Sequence, residues 1–298
     1  MQAGGGERGV AAVTHWNAGE RLLFDIESDS PDPDEAFMIQ AAVVHLVPGG
    51  VPRARKWLVQ PRREIPAEAV AVHKITTERA QREGQPIEDV MHELLHVLTV
   101  WSADMPIIGH NVGYDLTLTD RELGRTHGVE LRVRGPVIDT LLLDKACDMY
   151  RTGERTLSSQ CRHYGIPLGD DAHDAMADCM AAGRLAHKIV ARCCNNTWPR
   201  GKWPPNKATK AARALIAGGD AAALHEAQVR WHEEGQLSLA EYWRTPKAVE
   251  KAREKVARGD MTEVECKAWI EQLPEAADRV AAQAVGCWPL LPRVPATT

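Results

Sequence analysis

Three short apolar runs near the N-terminus, residues 20–26, 37–47 ("FMIQAAVVHLV") and 54–60 ("ARKWLVQ"), constrain this chain more than any other feature. Clusters of Asp, Pro and Gly ("SPDPDE", "PGGVP") separate them. This pattern predicts strands joined by tight turns, an antiparallel meander. The period then changes. Ile87, Val90, Met91, Leu94, Leu98 and Trp101 recur at helical spacing, with Pro86 where a first helical residue belongs. Short strands at 105–111 and at "PVIDT" then alternate with helices over 114–126, 140–149 and 156–164, and a long helix covers 173–193. Strands first, then strands alternating with helices, predict an α/β fold: a mixed sheet flanked by helices.

Acidic residues stand at the edges of these elements. Asp25 and Glu27 end the first strand, and period-two geometry puts both carboxylates on one face. Asp115 closes "GHNVGYD", where a strand gives way to a helix. His173 and Asp178 bound "HDAMAD" at the start of the long helix. Four convergent carboxylates repel one another in an empty pocket, and divalent cations remove that penalty. All-oxygen ligation suits Mg²⁺ or Mn²⁺ rather than zinc. Two such ions a few ångströms apart are a recurring device for phosphodiester cleavage. Histidine's unperturbed pKa suits a group that takes a proton from water, and His173 is placed beside Asp178 to do it.

These motifs, in this order, resemble the DEDDh family of 3'–5' exonucleases, which includes the proofreading epsilon subunit of bacterial DNA polymerase III. The resemblance covers roughly residues 20–195. It extends through "IPAEAVAVHKITTE" and "VIDTLLLDKACDMYRTGERTLSSQCRHYGI". It implies a ribonuclease H-like fold with a five-stranded sheet. It also implies Asp25, Glu27, Asp115 and Asp178 as ligands of two Mg²⁺ or Mn²⁺ ions, Asp25 bridging them, and His173 as general base. Ser28, His73, Asn111 and Tyr114 match positions that hold the 3'-terminal nucleotide. Two departures from the pattern matter: Asp29 replaces a threonine, and Lys74 replaces a glycine and could offset Asp29's charge or contact phosphate. The implied activity releases 5'-mononucleotides from single-stranded DNA ends in replication, proofreading or repair. An exoribonuclease of the same fold is the alternative.

Other segments compete for attention. "HELLH" (residues 92–96) matches the helical zinc-protease signature, with His92 and His96 as ligands and Glu93 as base. It lacks a nameable third ligand, and the helix would bury Met91, Leu94, Leu95 and Leu98. Residues 236–240, beginning Gln236-Leu-Ser-Leu, are similar to a sliding-clamp docking peptide. Alternatively, Ser238 and Glu241 form a capping box after a break at Gly235. A module that only binds nucleic-acid ends is a third reading. The basic stretches 51–57 and 60–64 read as solvated charge. Residues 200–210, with Trp198 and Trp203, could follow a phosphate backbone. Cys161, His163 and Cys179 read as packing residues.

Residues 1–18 are expected to be disordered, 19–197 to form the nuclease domain, and 198–298 to be a Pro-rich linker and helical C-terminal extension with a loose tail. A net charge of -5 excludes a broadly basic nucleic-acid coat but not a local basic groove. Seven cysteines without a Cys-x-x-Cys pair suggest reduced thiols and a cytoplasmic location. No segment has membrane-spanning length.

Overall fold

In β1 (Arg21–Ser28), alternate side chains enter opposite cores: Leu22, Phe24 and Ile26 one, Leu23 the other. The computed structural model, which describes residues 15–168, 174–199, 204–282, 284, 286 and 288–292, makes β1 the central strand. The sheet order is β3-β2-β1-β4-β5, with β2 (Met38–Leu46), β3 (Arg53–Leu58), β4 (Ile107–Gly109) and β5 (Val137–Asp139). The meander β1-β2-β3 is antiparallel, and β4 and β5 add in parallel. This is the mixed five-stranded, ribonuclease H-like sheet expected from the sequence.

Between the two halves lie α1 (Ala67–His73), α2 (Thr77–Glu83) and α3 (Ile87–Val100). Helix α4 (Val112–His127) follows β4, and α5 (Thr140–Cys147), α6 (Leu157–Tyr164) and α7 (Ala175–Asn195) follow β5. Helices α3 and α4 cover one face through Met91, Leu94, Leu116 and Leu123. Helices α5, α6 and α7 cover the other through Leu143, Cys161, Cys179 and Leu185. Each large apolar side chain removed from water this way contributes roughly 1.5–3 kcal/mol.

The extension comprises α8 (Lys207–Gly218), α9 (Ala221–Trp243), α10 (Pro246–Arg258) and α11 (Glu263–Ala282). The boundary expected at 198 does not separate two cores, because Ile216 of α8 and Leu224 of α9 share a core with Leu143 and Ile189. Helix α9 lies along β5, the edge strand. Its Gln228 carboxamide accepts from the Asp139 amide (2.7 Å) and donates to the Val137 carbonyl (2.9 Å), while His225 Nδ1 accepts from the Val137 amide (3.2 Å). Two side chains thus meet the outward backbone groups that a sixth strand would have met.

Three local expectations fail. Helix α9 runs through Gly235 without a break, so Ser238 and Glu241 form no capping box. Asp220 caps the helix instead, accepting from Ala222 and Ala223 amides, and packing of Leu224, Ala227 and Gln228 outweighs the roughly 1 kcal/mol penalty of a mid-helix glycine. The tail is docked through residue 292: Trp288 is buried, the Leu291 amide donates to Thr117 Oγ1 (3.0 Å), and Arg121 donates to the Leu291 and Pro292 carbonyls. Within the stretch expected to be disordered, Trp16 is buried and its amide bonds the Gly219 carbonyl.

Candidate active site

The face of β1 that carries Leu23 also carries Asp25 and Glu27, and it looks toward α7. That helix comes close because its packed face is small, with Ala181, Ala182 and Ala186 buried. A Cβ at Gly183 would stand 2.8 Å from Leu23 Cδ1. The approach sets Asp178, in the first turn of α7, against β1. One carboxylate oxygen each from Asp25, Glu27 and Asp178 lie within 4.8 Å of one another, the single such grouping of three or more ligating residues among the described residues.

Asp115 arrives from the other side of the sheet. Pairing of β1 with β4 stops at Leu23–Ile108, and beyond it the Ile26 amide donates to Asp115 Oδ1 (2.9 Å). The turn that allows this needs Gly109, where a Cβ would meet the Phe24 carbonyl at 2.8 Å. It also needs Asn111 in the left-handed region (φ 60°), which Asn tolerates better than most residues. Asp139, at the end of β5, fixes the turn by accepting from the Asn111 amide (2.9 Å), and it caps α5 at the Leu141 amide (2.8 Å).

Burial raises the carboxyls of Asp25, Glu27, Asp115 and Asp139. Asp25 is pushed well above its ordinary range by desolvation, then by the charges of Asp115, Glu27 and Asp178. Glu27 rises to about 8 through burial and then Asp178 and Asp115. Asp115 rises to about 8 through burial, against the pull of the Ile26 amide. Asp139 rises to about 6, again through burial. Hard cations among these oxygens would offset the repulsion, so the donor set fits Mg²⁺- or Mn²⁺-type ions.

His173 lies outside the described residues. Its neighbour Asp174 is the cap of α7, accepting from the Met176 amide (3.0 Å) and from Lys56 Nζ (2.7 Å). The Ser28 and Tyr114 hydroxyls lie 2.6 Å apart, and both are within hydrogen-bond reach of the Ser30 carbonyl. His73 is buried at the end of α1, with Nδ1 accepting from the Ile75 amide (3.1 Å). Lys74 does not offset Asp29. Its ammonium turns back to the Ala71 carbonyl, and Asp29 is neutralised by Arg63 Nε (2.6 Å).

Asp25 and Asp178 line a cavity of about 690 Å³ with His110, Asn111, Lys145 and Ser158. His110 bonds Thr140 Oγ1 (2.9 Å) and the Arg155 carbonyl (3.0 Å), and burial lowers its pKa to about 4. It is a neutral strut at physiological pH. Asp139, His110, Lys145 and Gln228 were missed as site-building residues. An Asp between "PVI" and a helix is a legible capping signal. The other three carry no local pattern.

The competing motifs do not assemble. His92 and His96 are exposed, no third ligand joins them among the described residues, and Glu93 accepts from Arg55 (2.8 Å) and Trp57 Nε1 (3.0 Å). Leu237 and Leu239 are exposed (39% and 37%), but two residues apart on a continuous helix they point about 200° away from each other, not to one docking face. Arg213 covers the Trp198 ring at 4.3 Å, and Trp203 is outside the described residues.

A mixed sheet with carboxylates gathered at the end of its central strand is the frame of a metal-using hydrolase. The family comparison is specific: a model described as exonuclease (RNase_T) matches residues 22–186, which span β1 to α7, and the chain belongs to that family. Solved structures agree in fold. One is exonuclease I, in a study of how its processivity is achieved (22% identity, TM-score 0.50, covering 58% of this chain and 40% of that one). Another is the zinc-ion-bound E. coli exonuclease I complex with single-stranded DNA (20% identity, TM-score 0.51, 58% and 41% coverage). The match thus spans about two fifths of those proteins' own length. No curated protein matches the chain. No helix among the described residues is long and apolar enough to cross a membrane.

Proposed function

We propose that the chain is a 3'–5' exonuclease of the DEDDh type, acting on single-stranded nucleic-acid ends, DNA foremost, and releasing 5'-mononucleotides. The observation that carries this reading is the convergence of Asp25, Glu27 and Asp178 within 4.8 Å, with Asp115 hydrogen-bonded to the backbone between the first two. Asp25, Glu27, Asp115 and Asp178 would hold two Mg²⁺ or Mn²⁺ ions. Such ions lower the pKa of an attacking water and offset charge on the leaving oxygen.

The chain's own groups do the rest. His173, five residues before Asp178 in sequence, takes the proton from the water. The Ser28–Tyr114 hydroxyl pair, Asn111 and His73 hold the terminal nucleotide. Asp139 keeps the Asn111 turn in place. Arg63 cancels Asp29, so that position adds little repulsion toward a phosphate. Residues 19–197 carry the chemistry. The 3.7 Å separation of the Cys147 and Cys193 sulfurs, as thiols, suits a reducing cytoplasm.

The test uses 5'-labelled single-stranded DNA and RNA oligonucleotides with Mg²⁺, Mn²⁺ or EDTA, beside the Asp178→Ala variant. A metal-dependent ladder shortening from the 3' end, absent in the variant, is expected. Cleavage that survives in the variant, or that begins at the 5' end, would refute the reading. The strand degraded faster names the substrate.

A further inference from the structure

We propose that the C-terminal extension is part of the nucleic-acid site: α9 and the docked tail form the far wall of a groove that holds a nucleobase of the single strand entering the acidic cleft. The inference rests on the exonuclease reading and reaches residues outside the span that the family model matches.

A second cavity, of about 530 Å³, lies against the acid-lined one. Asn111, Leu141 and Lys145 line both, so the two cavities adjoin across these residues. Its size falls in the range of about 300–1,000 Å³ typical of small-ligand sites. The near wall is Gly113 and Tyr114 of α4, and the far wall is Trp231, His232 and Gln236 of α9 with Trp288 of the tail.

The chemistry differs between the two cavities. The acid end carries the Asp25 and Asp178 carboxylates, with Lys145 and Arg155 at its margin. The far end offers flat aromatic faces and neutral hydrogen-bonding groups, which suit a base and not a phosphate. His232 and Gln236 meet there, Gln236 Nε2 to His232 Nε2 at 3.1 Å. His232 is held neutral at physiological pH, burial and then the Lys145 charge lowering its pKa to about 4. Its other ring nitrogen, Nδ1, has no partner among the described residues, and a buried ring nitrogen of this kind is normally satisfied. Lys145 stands where the ends meet and supplies a cation for the phosphate linking the held base to the cleft.

The wall is also pre-organised. Gln228 and His225 fix α9 on the β5 edge, and the His225 ring lies 5.3 Å from that of Trp288. A Cβ at Gly113 would approach Trp288 Nε1 to 3.0 Å, so the tail is seated directly on the start of α4. A groove held in shape before binding loses less conformational freedom on binding.

The experiment measures KM and kcat with Mn²⁺ on an oligothymidylate of roughly eight nucleotides, the length scale of single-strand sites. It compares the full chain with Trp231→Ala/Gln236→Ala and with Gln236→Glu, each checked by thermal melting. Removing a stacking face and its hydrogen-bonding neighbour is expected to raise KM about tenfold and to move kcat less than about twofold. Gln236→Glu, at a half-buried helical position that tolerates the change, is expected to raise KM through repulsion and decides the matter if the double variant melts early. KM within about twofold of wild type in a folded variant overturns the groove and leaves the exonuclease reading standing. A wild-type chain that degrades no oligonucleotide with any divalent cation overturns the exonuclease reading, and the groove falls with it.

Discussion

Two groups of buried carboxylates in this molecule are treated in opposite ways. Asp144, fully buried on α5, receives Arg151 (2.8 Å), Arg155 and the Tyr164 hydroxyl (2.8 Å). Glu122 and Asp120 on α4 are likewise met by Arg62, Arg125 and Arg121. At Asp25 and Glu27, by contrast, the dominant neighbouring charges are other carboxylates. A buried acid needs compensation, and at Asp144, Glu122 and Asp120 the fold provides arginine. At Asp25 and Glu27 no arginine meets the carboxylates among the described residues, and a cation from outside the chain would supply that compensation.

The widest test of this contrast replaces one acid of each kind. Asp178→Ala should lower mononucleotide release by on the order of a thousandfold, since several kcal/mol of charge stabilisation is lost, while far-UV circular dichroism and melting stay near wild type. Asp144→Ala should do the reverse. It leaves two guanidinium groups without their carboxylate, a loss of about 3–5 kcal/mol in a denaturant titration, with specific activity of the folded fraction retained. If Asp144→Ala left stability untouched, the contrast would collapse.

Cation binding sharpens it further. Saturating Mg²⁺ or Mn²⁺ should raise the melting temperature of the wild type by about 5 °C and that of Asp25→Asn by much less, read by differential scanning fluorimetry.

The metal-free protein should show the cost of leaving the acids uncompensated. Glu27 has a folded pKa of about 8 against an ordinary 4.5. Between those values the folded state binds a proton that the unfolded chain has released, so this group's stabilising contribution is complete below pH 4.5 and is lost as pH rises through 8. Glu27→Gln, melted in EDTA, should therefore exceed wild type above pH 8, with the gap closing toward pH 4.5. A gap that widens on acidification would contradict the assignment.

The smallest effect belongs to an exposed pair outside both groups. Glu93→Ala breaks the bonds to Arg55 and Trp57 and should alter stability by about 1 kcal/mol or less, with nuclease activity unchanged. A large loss would reopen the "HELLH" segment.

What was legible in the sequence was what local period encodes. Alternation along 20–26 put Asp25 and Glu27 on one face. The helical repeat of 86–101 marked the stripe of α3. The order of the acids carried the family resemblance, and the resemblance implied the sheet that gathers them. Illegible were pairings between distant residues with no period of their own: Arg63 with Asp29, Arg121 with the tail carbonyls, Gln228 with β5. Gly235 misled because a break signal is weak against a packed face, and the "WPLLP" tail misled because a buried Trp288 outweighs its prolines.

The Gln228–Val137 pairing has a consequence for biosynthesis. The two residues are 91 positions apart, and ribosomes add about 5–20 residues per second, so β5 is complete roughly 5–20 s before its covering helix is made. Through that interval the nascent sheet carries an open edge, the kind of surface to which a second chain can add a strand. On a crowded polysome this chain is most vulnerable to mispairing in that window, and slow decoding between residues 140 and 228 would lengthen it.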